Sequence, residues 1–250
     1  MKYSFIVDWL KEYSTSNNDR NFVVGVSGGI DSALTSTLCA ETGITTYVVS
    51  MPIKQGHREV QLAEDHIEWL VNKYPNVIPL KYELDKVYEQ FTSLFENVND
   101  LANANSRSRI RMTTLYHIAQ VTHSLVVGTG NKVEDFGIGF FTKYGDGGVD
   151  ISPIADLMKS EVKEAACEYQ LLLDIIDAKP TDGLWDDSRT DEDQIGATYD
   201  ELEWAMTFGG KKTGLKKRQK EVLNIFYGLQ IQNKHKMNPI PICLKPQDVK

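Results

Sequence analysis

Short apolar runs alternate with segments of helical periodicity four times in the first half of the chain. The runs that predict strands are residues 22–26, 45–50, 77–80 and 125–127. The patterns that predict the helices between and after them cover residues 31–40, 60–71, 84–95 and 108–123. Strands that alternate with helices pair in parallel and are covered on both faces. The alternation therefore predicts an α/β fold with a parallel sheet.

The second half of the chain has a different pattern. Residues 137–153 are rich in glycine and residues 178–196 are acidic and polar, and both segments are typical of ordered loops or lids. Further helical patterns cover residues 5–13, 158–169, 198–207 and 215–234. With no repeat and no composition break, we predict one domain over residues 1–250. Its architecture would be a doubly wound, Rossmann-like parallel sheet flanked by helices, with ligand-binding loops in the second half.

Composition excludes several classes of protein. The formal net charge of −8 argues against a nucleic-acid binder that works by bulk electrostatics, and the basic run at residues 211–220 is typical of a solvated helix face. Three widely spaced cysteines and five histidines form no zinc pattern. No apolar stretch approaches the roughly 20 residues of a membrane span, and the N-terminus does not resemble a signal peptide. We expect a soluble, cytoplasmic protein that binds neither nucleic acid nor membrane.

The motif with the clearest chemistry is a glycine-rich stretch between the first strand and the following helix. Its residues are Gly25, Val26, Ser27, Gly28, Gly29, Ile30, Asp31 and Ser32. Small residues let backbone N–H groups approach a phosphate, and the helix N-terminus adds partial positive charge. The two serines can donate hydrogen bonds, and Asp31 can contact a Mg²⁺ ion bound to the phosphates. The stretch therefore predicts a nucleotide-phosphate site.

Two better-known phosphate loops do not fit this stretch. A Walker A loop needs a lysine where Ile30 stands, and Ser27 breaks the Gly-x-Gly pattern of a dinucleotide fingerprint. The structural alternative is a simple turn in which Asp31 and Ser32 cap the helix. The full eight-residue string favours the functional interpretation.

The string from Ser27 to Ser32 resembles the pyrophosphate loop of the N-type ATP pyrophosphatases. A second block, residues 128–162, resembles the signature of one branch, the NAD synthetases, above all in the stretch Phe-Thr-Lys-Tyr-Gly-Asp-Gly-Gly at residues 141–148. The resemblance continues through residues 179–181 and 196–199 and ends at residues 235–236. It therefore covers nearly the whole chain.

The resemblance implies an activity. NAD synthetases form NAD from deamido-NAD: ATP activates the carboxylate as an acyl adenylate, and ammonia then replaces AMP. Glutamine-dependent relatives carry an extra glutaminase domain, for which 250 residues leave no room, so free ammonia is the expected nitrogen donor. The expected cofactor is Mg²⁺, with ATP as co-substrate, and the expected assembly is a homodimer.

The resemblance also implies roles for individual residues. The positions that match metal ligands are Asp31 and Glu134, which follow the first and fourth strands. Besides the glycine-rich stretch, the positions that match ATP-binding residues are Thr129, Lys159 and Thr181. The positions that match deamido-NAD-binding residues are Arg109, Lys143, Asp150, His235 and Lys236, the last two expected to reach the site across the dimer interface. No side-chain nucleophile is required, and Asp31 and Lys159 are expected to act electrostatically.

The chain departs from the family pattern at three positions that bear on the site, one of which is Asp182, which follows Thr181 where a small residue is usual. Glu134 lies one residue further from Thr142 than the common spacing allows, which leaves Asp135 as a possible substitute metal ligand. Met237 stands where arginine is common, so one cation on the substrate side is absent or supplied elsewhere.

Two other functions stay open from the sequence. One is a different adenylating ATP pyrophosphatase, such as a tRNA-thiolating enzyme, which would be expected to need reactive cysteines and a basic face. The other is a nucleotide-binding sensor without chemistry. The presence of both predicted metal carboxylates argues against the sensor.

Overall fold

The protein is built around one parallel sheet of four strands. In this computed structural model, which describes residues 1–96, 99–181, 190–210 and 213–245, the strand order is β3-β2-β1-β4. The strands are β1 (Asn21–Gly25), β2 (Thr46–Ser50), β3 (Val77–Lys81) and β4 (Ser124–Val127). Each predicted strand is present, with its ends shifted by at most one residue. The predicted parallel sheet is thereby confirmed.

The interior residues of each strand are apolar, and alternate side chains point to opposite faces of the sheet. Both faces are therefore apolar and are covered by helices. In β1, Phe22 and Val24 join one hydrophobic cluster and Val23 joins another. The helices of the first half are α1 (Ser4–Ser16), α2 (Ile30–Glu41), α3 (His57–Lys73), α4 (Asp85–Thr92) and α5 (Asp100–Thr122). Residues of α1 and α2 pack on the face of Phe22, and residues of α4 and α5 pack on the face of Val23.

The second half adds two helices to the core on the Phe22 face of the sheet and forms a small cluster of its own. Its elements are a π-helix (Val133–Ile138), α6 (Lys159–Glu168), α7 (Leu173–Ile176), α8 (Asp191–Ile195), α9 (Tyr199–Thr207) and α10 (Lys217–Met237). Helix α6 packs on α2 over the face of Phe22. The π-helix, α9 and α10 enclose a separate core around Leu202, Leu223 and Phe226. The single-domain boundary at residues 1–250 stays a prediction.

Three features differ from the expectation. Helix α5 begins at Asp100 rather than at residue 108, because the Asn99 side chain caps it by accepting from the Ala102 N–H, and its first two turns are too polar to show a helical pattern. Helix α4 ends at Thr92, before residue 95. The acidic segment 178–196, expected as a loop, contains the short helix α8, which a Thr190–Asp193 capping box begins.

The basic run at residues 211–220 lies at the start of α10. Residues 211 and 212 lie outside the described part of the chain. Arg218 donates to the carboxylate of Glu201 at 2.6 Å and lies 3.5 Å from that of Glu221. This arginine is therefore engaged in ion pairs at the protein surface.

Candidate active site

A cleft of about 1180 Å³ opens at the carboxyl ends of β1 and β4. The whole glycine-rich stretch at residues 25–32 lines it. The other predicted site residues that line it are Arg109, Thr129, Glu134, Lys143, Lys159, Thr181, His235 and Lys236. Ligands in open parallel sheets bind at this position, beside the point where strand order reverses. The structure therefore places predicted site residues from both halves of the chain in one cleft.

The glycine-rich loop requires glycine at position 28. Gly28 has a φ of +88°, and a Cβ atom there would lie 2.6 Å from the Glu59 carbonyl oxygen in α3. The loop is braced by Ser32, whose hydroxyl accepts from the Ser27 N–H at 3.1 Å and donates to the Gly29 carbonyl at 2.9 Å. Gly29 precedes α2, so unpaired N–H groups of the first helical turn face the cleft. This is the geometry of an anion site.

Two carboxylates from the ends of neighbouring strands share one lysine. Lys159 Nζ lies 2.6 Å from Asp31 Oδ2 and 3.1 Å from Glu134 Oε1. All three side chains are between 13% and 17% exposed, so little water screens the charges. Asp31 lies in the first turn of α2, Glu134 lies in the π-helix and Lys159 begins α6. Residues more than 100 positions apart therefore meet at one sheet edge.

Burial and pairing act in opposite directions on these groups. Burial raises the pKa of Asp31 above its usual value, against the opposing effect of Lys159. Burial would also raise the pKa of Glu134, but the charge of Lys159 and a hydrogen bond from Tyr199 outweigh it and hold the pKa below its usual value. The pKa of Lys159 lies above its usual value because the two carboxylates outweigh its burial. The lysine is therefore fully charged in the cleft.

Asn131 connects the Asp31 carboxylate to the backbone of the π-helix that carries Glu134. Its side-chain Nδ2 donates to Asp31 Oδ1 at 3.1 Å, and its Oδ1 accepts from the N–H groups of Val133 and Glu134 at 3.1 and 3.2 Å. Asn131 is fully buried. Sequence reasoning missed it, although its place between Thr129 and Glu134, directly after β4, could have indicated a role.

The donor set fits Mg²⁺. Mg²⁺ prefers carboxylate oxygens, keeps several waters and is held by one or two carboxylates together with substrate phosphates. Asp31 and Glu134 supply two such carboxylates beside the phosphate loop. Over the described residues there is no cluster of three or more histidine, cysteine, aspartate or glutamate side chains that could hold a metal unaided. A metal here would depend on nucleotide oxygens for the rest of its coordination.

Asp135, the alternative metal ligand, is held in a different environment. Its carboxylate lies against Gly130, where a Cβ atom would be 2.2 Å from Asp135 Oδ2. Burial, together with the charges of Glu134, Asp146 and Asp31, raises the pKa of Asp135 to about 7. Lys159, by contrast, pairs with Glu134. The geometry therefore favours Glu134 over Asp135 as partner of Asp31.

We expect Asp135→Asn to raise the free energy of unfolding of the metal-free protein relative to wild type, and to raise it more at pH 8 than at pH 5. An unfolded aspartate ionises near pH 4, whereas the folded protein keeps Asp135 protonated up to about pH 7. Deprotonation between these values favours the unfolded state, so wild-type stability falls as pH rises, by about 4 kcal/mol at most. Urea unfolding in EDTA at both pH values measures the difference. The surface variant Asp156→Asn serves as the control, and an equal effect of Asp135→Asn at both pH values would contradict the prediction.

The opposite wall of the cleft carries the predicted substrate cations. Arg109 Nε donates to the Lys143 carbonyl at 3.3 Å, and Lys143 Nζ donates to the His235 carbonyl at 2.8 Å. Lys236 Nζ donates to the Phe141 carbonyl at 2.7 Å, and burial lowers its pKa. His235 and Lys236 were expected to cross a dimer interface. The structure differs here, because α10 of the same chain packs on the π-helix and brings both residues to this chain's own cleft.

Asp150 does not belong to this wall. It is not among the residues that line the cleft. Its Oδ2 accepts from the Val126 N–H at 2.8 Å and its Oδ1 from the Tyr116 hydroxyl at 3.1 Å. In this structure the Asp150 side chain attaches its own segment of the chain to the edge of β4.

The turn that follows Thr142 is attached to α5. Asp146 Oδ1 accepts from the Ser108 hydroxyl at 2.7 Å and from the Thr142 N–H at 3.0 Å. A Cβ atom at Gly145 would lie 2.2 Å from Ser108 Oγ, so the turn packs closely on α5. Sequence reasoning did not assign Asp146 a role, although it lies in the block at residues 141–148.

Over the described residues, no helix is long and apolar enough to cross a membrane.

Comparison with known proteins gives a consistent result. A family model described as NAD synthase matches residues 2–239. The NH(3)-dependent NAD(+) synthetase of Mesoplasma florum is 37% identical over 204 residues, which cover 80% of this chain and 81% of that protein. An NMN synthetase from Francisella tularensis superposes with a TM-score of 0.84 at 33% identity, and an NH3-dependent NAD synthetase from Campylobacter jejuni with 0.78 at 25% identity. Both structural alignments cover 98% of each chain.

Proposed function

This chain belongs to the NAD synthase family, and from that premise we propose that it amidates deamido-NAD to NAD with ATP and ammonia, through an acyl adenylate, as the last step of NAD biosynthesis. The enzyme is then an amide-forming carbon–nitrogen ligase that releases AMP and pyrophosphate. One observation carries the proposal. A glycine-rich phosphate loop, two carboxylates and a buried lysine meet at the carboxyl ends of β1 and β4.

We assign one wall of the cleft to ATP. The residues of this wall are the stretch 25–32 together with Thr129, Lys159 and Thr181. Asp31 and Glu134 would hold Mg²⁺, which neutralises phosphate charge and makes pyrophosphate a better leaving group. The loop N–H groups bind the β- and γ-phosphates, and Lys159 reaches the same phosphates from α6. These fixed charges stabilise the transition state without needing to reorganise.

The chemistry then proceeds in two balanced steps. A carboxylate oxygen of the substrate attacks the α-phosphorus of ATP, and the bond to pyrophosphate breaks. The ammonia nitrogen attacks the carbonyl carbon of the acyl adenylate, the carbon–oxygen bond to AMP breaks, and the nitrogen loses a proton. Catalysis is mainly orientation and electrostatic stabilisation, since neither step requires a side-chain nucleophile.

We assign the opposite wall to the anionic substrate. Arg109, Lys143, His235 and Lys236 provide its cationic and hydrogen-bonding groups, and the carbonyl contacts described above hold three of these side chains in place. Asp150 would act on this wall only through the segment that it fixes to β4.

A second candidate is the amidation of the mononucleotide. The Francisella tularensis relative is an NMN synthetase, and it matches this chain over 98% of both lengths. NMN lacks the adenylate half of NAD, so the same phosphate loop and carboxylate pair would serve both reactions. The substrate wall alone would decide between them.

The test is to incubate the purified protein with ATP, Mg²⁺ and ammonium, with either deamido-NAD or nicotinate mononucleotide. Mass spectrometry quantifies the amide product and AMP. Equal amounts of NAD and AMP, with kcat/KM higher for deamido-NAD, support the main proposal, whereas a higher value for the mononucleotide supports the second candidate. AMP without either amide, or product with glutamine as the sole nitrogen source, contradicts ammonia-dependent amidation.

We further propose that two copies associate through exposed apolar residues of α4, of residues 94–95 and of the start of α5. Large apolar side chains there are exposed to solvent: Val87, Phe91, Leu94, Phe95 and Leu101. Leu101 also lines the cleft, so a second copy would lie beside the substrate wall. Exposed apolar surface of this kind is typical of an interaction site.

Phe95→Glu is expected to shift the protein from dimer to monomer in light scattering, because a charge replaces an apolar contact. Phe5→Glu on α1 is the matched control, since Phe5 and Phe95 are both 58% exposed. The family resemblance also places the first helix at a dimer interface. Dissociation by Phe5→Glu alone would therefore move the interface to α1 and overturn the proposed one.

We place this activity in the cytoplasm, where thiols stay reduced. Cys39, Cys167 and Cys243 are free, and burial raises the pKa of Cys39.

A further inference from the structure

Tyr199 lies beside the carboxylate pair and contacts one of its members, Glu134, together with Lys159. It is the first residue of α9 and is 6% exposed. Its hydroxyl lies 2.6 Å from Glu134 Oε1 and 3.2 Å from Asp191 Oδ2. Lys159 Nζ lies 4.7 Å from the centre of its ring. One side chain therefore contacts both Glu134 and Lys159 from the side opposite the cleft.

The hydroxyl contact limits the orientation of Glu134. A glutamate side chain has three rotatable bonds, and a metal ligand must hold its oxygen in place to bind well. The 2.6 Å distance is that of a strong hydrogen bond from a hydroxyl to a carboxylate. Partners that orient a metal ligand in this way commonly change metal affinity 10- to 100-fold.

The ring contact acts on Lys159. In the structure Lys159 bridges Asp31 and Glu134, which are the carboxylates that a metal would use. Lys159 contacts one oxygen of each carboxylate, Asp31 Oδ2 and Glu134 Oε1, so a metal that binds through either of these oxygens displaces the ammonium group from it. The face of an aromatic ring attracts an ammonium group and can hold Lys159 beside the site in either pairing.

We propose that Tyr199 is a positioning residue: its hydroxyl orients the Glu134 carboxylate toward the metal, and its ring supports Lys159 as that lysine moves from the carboxylates to the phosphates. The proposal rests on the metal role assigned above to Asp31 and Glu134.

The hydroxyl is not needed to begin or to pack α9. Thr198 and Glu201 form a capping box at the start of that helix, and Leu202 and Ala205 bury its apolar face. Phenylalanine at position 199 would fill the same volume in this core. Tyr199→Phe therefore removes the contact with Glu134 and leaves both the fold and the ring beneath Lys159.

The experiment measures Mn²⁺ binding by electron paramagnetic resonance, with and without a non-hydrolysable ATP analogue. We expect Tyr199→Phe to weaken Mn²⁺ binding by about 10-fold or more and to raise the KM for Mg-ATP more than it lowers kcat. Tyr199→Leu, which also removes the ring, should additionally lower kcat because Lys159 loses its support.

Tyr74→Phe is the matched control. The Tyr74 hydroxyl donates to Glu41 Oε1 at 2.9 Å, away from the cleft, so this variant also loses a tyrosine–carboxylate hydrogen bond. Wild-type Mn²⁺ affinity in Tyr74→Phe supports the proposal. Affinity in Tyr199→Phe within about twofold of wild type, or an equal loss in Tyr74→Phe, would overturn it.

The outcome separates this proposal from the proposed function. Mn²⁺ binding is measured without the carboxylic acid substrate. Weaker binding in Tyr199→Phe therefore supports the positioning role even if the wild type makes no amide. Wild-type protein that binds no Mn²⁺ with the ATP analogue present overturns both the metal assignment and the role of Tyr199. Circular dichroism of each variant establishes that it is folded.

Discussion

Asp31→Asn is expected to lower the turnover of the ATP-dependent reaction by about 1000-fold or more, because a metal ligand worth several kcal/mol in the transition state loses its charge. Asparagine has almost the same shape, so the loop and α2 should keep their conformation. Stability should change little. Burial raises the pKa of Asp31, which means that the folded protein gains little from keeping this carboxylate ionised.

The measurement combines initial rates of AMP release with urea unfolding of the same preparation. Asp156→Asn is the control, because Asp156 also pairs with a lysine, at 2.7 Å from Lys132 Nζ, but its side chain is 94% exposed. Exposed pairs of this kind contribute about 1 kcal/mol or less. Turnover of Asp31→Asn within about tenfold of wild type would refute the assignment of Asp31 to the metal.

Gly28→Ala should weaken nucleotide binding and destabilise the fold as well. The new Cβ atom would lie 2.6 Å from the Glu59 carbonyl oxygen and 3.1 Å from the Ala63 nitrogen, both in the backbone of α3. A helix backbone cannot yield as a side chain does, so the loop must move away from α3. We expect the free energy of unfolding to fall by about 3 kcal/mol and affinity for an ATP analogue to fall by about 100-fold.

Gly43→Ala separates crowding from backbone strain. Gly43 also has a positive φ, +77°, but a Cβ atom there meets no atom within 4 Å. Its substitution should cost about 1 kcal/mol of stability from backbone conformation alone and should leave nucleotide affinity unchanged. Equal losses in the two variants, measured by urea unfolding and calorimetric titration, would show that contact with α3 does not shape the loop.

The parallel sheet and the phosphate loop could be predicted because both depend on local pattern. Apolar runs such as residues 22–26 have the length and composition of buried strands. A glycine-rich stretch between a strand and a helix has few interpretations, of which a phosphate loop is one. The meeting of Asp31 with Glu134 also followed, since each comes soon after a strand and the strands are parallel. These inferences need only the order of elements along the chain.

The π-helix could not be predicted from pattern. Glu134 lies in a wide helical turn, in which the Gly139 N–H donates to the Glu134 carbonyl five positions back. Such turns are rare in proteins and are frequent at functional sites. Gly139, with a φ of +63°, then ends the turn. In this turn Glu134 lies beside Lys159.

The contacts that Tyr199 and Lys236 make also could not be predicted from the sequence pattern. Tyr199 reaches Glu134 because α9 and α10 pack as a unit on the π-helix, and Lys236 reaches the cleft from the last turn of α10. Such positions depend on how helices pack across long separations in sequence. A basic or aromatic residue on a helix gives no local sign of which neighbour it will meet.

The pairing of β1 with β4 has a consequence for how the protein is made. Val24 lies opposite Val127, and contacts between such distant residues form late, because a long loop must close first. During synthesis the first three strands and the phosphate loop emerge before β4. A nascent chain at that stage can present the loop but has neither Glu134 nor Lys159. By the roles proposed for these residues, an incomplete molecule therefore cannot cleave ATP before it can convert the resulting acyl adenylate to the amide.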